Sequence, residues 1–155
     1  MKKRKSSRAA DKAPPEPFEA VVRLLAFRPH SRLELRRKLR MKGCEAGPVE
    51  AALDRAAELG YLDDAAYARS VVRLRSGSRG RAAIGAELAA RGVSRELAGE
   101  VLGELDPEAQ LAAAVRLLER MPVATAKPAL LLARLQRRGF STEVARSAWR
   151  VVVPG

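Results

Sequence analysis

Arginine is the residue with most chemistry to offer in this chain. Arg36, Arg37 and Arg40 crowd into five positions, with Arg32 one turn earlier, and Arg134, Arg137 and Arg138 repeat the clustering further on. A guanidinium is always charged and presents a planar fork of donors, so such clusters suit phosphate or carboxylate groups. Other chemistry finds little support. The chain has one histidine, His30, and one cysteine, Cys44, and neither has the neighbours of a zinc site. Asp63 and Asp64 are adjacent, so they cannot face each other as a hydrolase carboxylate pair. The glycines are scattered as helix stops and form no phosphate loop. No catalytic residue, metal ligand or cofactor site is expected, and the chain reads as a non-enzyme.

The charge points to a polyanionic partner. Thirty basic residues stand against eighteen acidic ones, for a net charge of +12, and the charges lie in blocks. Residues 18–43, 65–95 and 109–150 each carry +6, while 44–64 and 96–108 each carry −5. Nucleic acid or an acidic protein surface would match the basic blocks. Base-specific reading is poorly supported, because asparagine is absent and glutamine occurs only at Gln110 and Gln136. Aromatic residues make up 4%, too few for a single-strand stacking platform. Phosphate-directed contact with single- or double-stranded DNA, independent of sequence, remains. The candidate basic stripe comprises Arg28, Arg32, Arg36, Arg37 and Arg40, then Arg75, Arg79 and Arg81, then Arg134, Arg137 and Arg138. A single cysteine fits a reducing compartment, and no apolar run has the length of a membrane span. A cytoplasmic, monomeric protein is expected. Residues 1–17 are basic, end in a proline-rich run and read as a disordered arm, not a secretory signal.

The elements that must position these arginines are helices. Ala, Leu, Arg and Glu dominate, and Val and Ile never alternate with polar residues as in a strand. An internal repeat is visible. Ala20–Leu25 matches Ser70–Arg75 and Ala113–Leu118, and each is followed by a second string: Leu39 to Gly43, Leu88 to Gly92, Leu135 to Gly139. A cation precedes each of those glycines (Lys42, Arg91, Arg138), and an aliphatic lies four residues before each leucine (Leu35, Ile84, Leu131). This is the stripe of a helix that stops at glycine. Ser94 and Ser141 read as N-caps of the third helices, with Gly47 and Pro48 in that role in the first unit. Asp106-Pro107-Glu108 opens the third unit. The expected architecture is all-α, three tandem three-helix repeats at 18–62, 63–105 and 106–155. At the first boundary, Gly60 stops one helix and Asp63 or Asp64 caps the next. Tyr61, Leu62 and Tyr67 supply apolar bulk around that break.

Those motifs together resemble the RecX family, regulators of the RecA recombinase. Gly60-Tyr61-Leu62-Asp63-Asp64 followed by Tyr67-Ala68 is similar to that family's signature. Arg28 to Leu35, with Lys38-Leu39 and Lys42-Gly43, looks like its first-unit motif, and Arg137 to Phe140 like its third. Pro29 stands where the family often has an acidic residue. The resemblance covers about 18–150. It implies an elongated, curved helical array that binds the RecA–single-stranded-DNA filament. It also implies inhibition of the filament's recombinase, ATPase and co-protease activities in DNA repair and the SOS response. The competing expectation is a stand-alone helical DNA-binding protein with sequence-independent phosphate contacts.

Overall fold

Among the described residues, six helices begin where a side-chain oxygen meets a free first-turn N–H group, and four end where a glycine turns the backbone. The computed structural model describes residues 13–155. The expected basic arm therefore lies largely outside the described residues. Among them are nine helices and no strand: α1 Pro17–Phe27, α2 Arg32–Met41, α3 Ala46–Glu58, α4 Asp64–Arg75, α5 Arg81–Ala90, α6 Arg95–Gly103, α7 Pro107–Glu119, α8 Pro128–Arg137 and α9 Thr142–Val152. Ser31, Asp63, Ser94, Asp106 and Ser141 are N-caps whose side chains accept hydrogen bonds from first-turn amides. Of the two aspartates at the first boundary, Asp63 is the cap; its Oδ1 accepts from Ala65 N and Ala66 N at 2.9 and 3.1 Å. Gly43, Gly60, Gly92 and Gly139 have φ of +90°, +78°, +81° and +94° after α2, α3, α5 and α8.

One boundary differs from the sequence reading. The third helix begins at Ala46 with Glu45 as N-cap, so Gly47 and Pro48 stand inside its first turn. The proline is tolerated there because the first four amides of a helix have no intrahelical acceptor.

Burial groups the helices in consecutive triples. Val21, Leu35, Leu39, Val49 and Leu53 are fully buried in a cluster built from α1–α3. Ile84, Leu88 and Val101 centre a second, from α4–α6. Leu118, Leu135, Phe140 and Ala148 centre a third, from α7–α9, with Trp149 packed at its edge. The molecule is thus an all-α repeat array.

The triples meet at helix ends. At the first junction, the N-terminal end of α2 meets the C-terminal end of α5: Ser31 Oγ donates to Arg91 O at 2.7 Å. The first amide of α2, Arg32 N, donates to Asp64 Oδ1 of α4 at 3.0 Å. The second junction repeats the pattern one unit on. Gly80 N and Ala82 N, at the start of α5, donate to Arg138 O and Gly139 O at the end of α8, at 2.9 and 3.2 Å. Arg81 N donates to Gln110 Oε1 of α7 at 3.0 Å, so Gln110 plays the part of Asp64. Positive helix ends thereby face negative ones. The close approach requires glycine: a Cβ on Gly139 would overlap Ala83, and one on Gly80 would overlap the Gly139–Phe140 backbone. At the outer end of α2 the chain meets itself, since Pro14 lies 3.6 Å from the space a Gly43 Cβ would fill. At the outer end of α8, Pro128 occupies the first helical position, and the N-cap Lys127 makes no side-chain cap bond.

Candidate functional site

Ion pairing divides the basic stripe in two. Arg32 extends across to α3 and donates to Glu50 Oε2 at 2.9 Å and Asp54 Oδ1 at 2.6 Å. Arg36 binds the same Glu50 through Nε and Nη2. Helical spacing from Leu35 and Leu39 places Arg36 on the outer face; instead its length lets it lean onto the α3 carboxylate. The two guanidiniums hold Glu50 well below the ordinary carboxylate range, at about 2. Arg28 pairs with Glu34 at 3.3 Å. Arg75 and Arg79 both reach Glu87, at 3.0 and 3.8 Å. Burial pushes the Glu87 carboxyl upward, but hydrogen bonds from Arg75 and Arg91 outweigh it and the net direction is down.

The remaining arginines of the stripe have no carboxylate partner among the described residues. Arg37 and Arg40 are exposed on α2, where Arg40 Nη1 donates to the Cys44 carbonyl at 2.9 Å. Arg81 is exposed at the start of α5. Arg134, Arg137 and Arg138 are all exposed on and just after α8. Their i, i+3, i+4 spacing puts them on one face. The gap of 49 residues between α2 and α5 starts, and of 47 between α5 and α8 starts, allows a register comparison through Gly43, Gly92 and Gly139. Arg134 and Arg138 then correspond to Lys38 and Lys42, not to Arg37 and Arg40. In α5 the same two positions are Glu87 and Arg91, which bond each other at 3.0 Å. Within the stripe, unpaired guanidiniums are most numerous on the third triple, with Arg37 and Arg40 on the first and Arg81 alone on the second.

The residues of the Gly60–Tyr67 motif sit at the first junction. Leu62 and Tyr67 are buried, while Tyr61 is exposed with its ring edge-on to Phe18 at 6.5 Å. The Tyr67 hydroxyl accepts from Arg91 Nη1 at 3.0 Å, and the same guanidinium approaches Glu34 at 3.5 Å. Arg91 thus gathers α2, α4 and α5, a role that sequence reasoning assigned to no residue. Its signal was the cation before each repeat glycine. His30 is 2% exposed; its Nδ1 lies 2.8 Å from Arg28 O and its Nε2 3.1 Å from Lys38 Nζ. Burial above all, with the Arg28 and Lys38 charges, lowers its pKa. Lys38 as donor requires the neutral ring, with Nδ1–H donating to Arg28 O. No group of three or more metal-ligating side chains occurs among the described residues. No described helix is long and apolar enough to cross a membrane.

Comparison with known proteins places this geometry. Residues 18–55 match the model of the RecX first three-helix domain, and residues 63–102 that of the second. A regulatory protein RecX of Thermus thermophilus is 42% identical over 136 residues, covering 88% of this chain and 92% of the relative. That of Pelodictyon phaeoclathratiforme is 37% identical over 152 residues, covering 94% of each. The crystal structure of RecX from Lactobacillus salivarius superposes with a TM-score of 0.81 at 19% identity, over 88% of this chain and 94% of that one. With the repeat, the junction motif and these matches in agreement, the chain belongs to the RecX family of regulatory proteins.

Proposed function

We propose that this protein binds the RecA–single-stranded-DNA filament and restrains its recombinase, ATPase and co-protease activities in DNA repair and the SOS response. The observation that carries the reading is the split in the basic stripe. Arg37 and Arg40 on the first triple, and Arg134, Arg137 and Arg138 on the third, carry charge that no internal carboxylate neutralises among the described residues. Two separated cationic faces on one array suit a large, repeating, anionic target, because contacts made together raise affinity beyond either alone. A protein-coated DNA strand is such a target. Phosphate contacts are independent of sequence. The three helix triples act as one binding unit from the cytoplasm, as a monomer.

The test is single-strand-dependent ATP hydrolysis by the cognate recombinase, titrated with this protein while DNA is in excess. Inhibition at substoichiometric protein supports action on the filament. Inhibition only at concentrations that coat the DNA supports plain DNA binding instead. Within the filament reading, the folded Arg37→Ala/Arg40→Ala variant inhibits less than the wild type, and equal inhibition removes the α2 face from the site.

A further inference from the structure

The same interhelical face recurs in each triple with different chemistry. Counting from Gly43, Gly92 and Gly139, Glu50 of α3 corresponds to Gly99 of α6 and Arg146 of α9. By the same count Asp54 corresponds to Gly103 and Arg150, and Arg36 of α2 corresponds to Gly85 of α5 and Leu132 of α8. In the first triple this face is closed by the Arg32, Arg36, Glu50 and Asp54 ion pairs. In the third, both acids have become arginines, and the two arginines that faced them, Arg32 and Arg36, have become Pro128 and Leu132. The result is an open groove of about 630 Å³, lined by Leu132, Thr142, Glu143, Arg146, Trp149 and Arg150. Its exposed lining is mostly apolar. Arg146 has no carboxylate partner among the described residues, and Arg150 donates only to Ser147 Oγ at 3.0 Å.

We propose that this groove docks an acidic amphipathic segment of a partner protein. Apolar side chains lie against Leu132 and Trp149, and carboxylates reach Arg146 and Arg150. Charge complementarity selects this occupant: the groove repeats the first triple's ion-pair face with its acids missing, so the partner supplies them. Residues 1–12 of this chain carry six basic groups and one acid, the wrong sign for the role. A nucleic acid strand fits less well, because the exposed lining is mostly apolar and Trp149 offers only one aromatic ring for stacking. The proposal concerns a different face from Arg37 and Arg40 and does not rest on the filament reading.

Trp149 is the only tryptophan, so its emission reports occupancy of the groove directly. The full chain is titrated, without recombinase or DNA, with a peptide of about twelve residues carrying leucines on one helical face and glutamates elsewhere. A saturable change in Trp149 emission is expected. A matched peptide with glutamine for glutamate binds at least about tenfold more weakly, and so does the Arg146→Glu/Arg150→Glu variant towards the acidic peptide. The Arg146→Lys/Arg150→Lys variant retains most of the affinity. Circular dichroism confirms that the variants fold, as both positions are exposed. The proposal is overturned by no saturable change, by equal binding of the glutamine peptide, or by saturation with oligo-dT at lower concentration than the peptide. A concentration-dependent rise in mass that Arg146→Glu/Arg150→Glu abolishes would assign the groove to a second copy, and also overturns it.

Discussion

Glu50 sets how much of the first triple's positive charge is available. It holds Arg32 and Arg36, and its side chain is 42% exposed, so water screens the pairs. Glu50→Gln is expected to lower stability by no more than about 1 kcal/mol, read from denaturant midpoints. It should also strengthen inhibition of the filament, since Arg36 is released toward the partner while Asp54 keeps hold of Arg32; unchanged inhibition would place Arg36 outside the interface. Acid acts on two residues in different windows. The lowered pKa of His30 means the unfolded chain takes up its proton first, so stability is full above about pH 6.5 and declines as pH falls below it. Glu50, depressed to about 2, contributes stability that is full above about pH 4.5 and is lost toward pH 2. His30→Gln should flatten the decline between pH 7 and 5 and leave the lower one, checked by urea midpoints across pH. The partnership of Glu50 was not legible in the sequence: Arg36 and Glu50 lie on different helices, and only packing brings them into one register. The acid block at 44–64 was the available hint.

At the scale of helices the sequence was more open. Gly43, Gly92 and Gly139 announced helix ends because the left-handed backbone beyond a helix favours glycine, and Ser94, Ser141 and Asp106 announced starts through their cap oxygens. Pro48 misled, because a proline fits any position of the first turn and so marks a helix start only to within a few residues. Hidden altogether was the junction of helix ends, where backbone groups meet one another or side chains, such as Asp64 and Gln110, from a different triple. Two glycine substitutions separate the local and junction contributions. Gly60→Ala meets open space and costs about 1 kcal/mol for its positive φ alone. Gly139→Ala adds overlap with Ala83 across the second junction and should cost at least about 2 kcal/mol, with the larger fall in melting temperature. Equal losses would mean that the second junction yields freely.

For the whole molecule, net charge is a poor guide to how strongly it grips a polyanion; the unneutralised part matters. Removing Arg134, Arg137 and Arg138 together should reduce the slope of log affinity against log salt by about 2–3 on DNA-containing targets. Removing Arg32 and Arg36 should reduce it by less than about 1, since Glu50 and Asp54 already hold them. A repeat whose units join through helix ends also has a problem of termination: every unit exposes one surface that invites another. Here Pro14 lies over Gly43 at one outer end, and at the other Pro128 lacks the amide that Arg32 and Arg81 donate to Asp64 and Gln110 at the two junctions. Neither tip therefore presents the same surface as the helix ends that join the inner units.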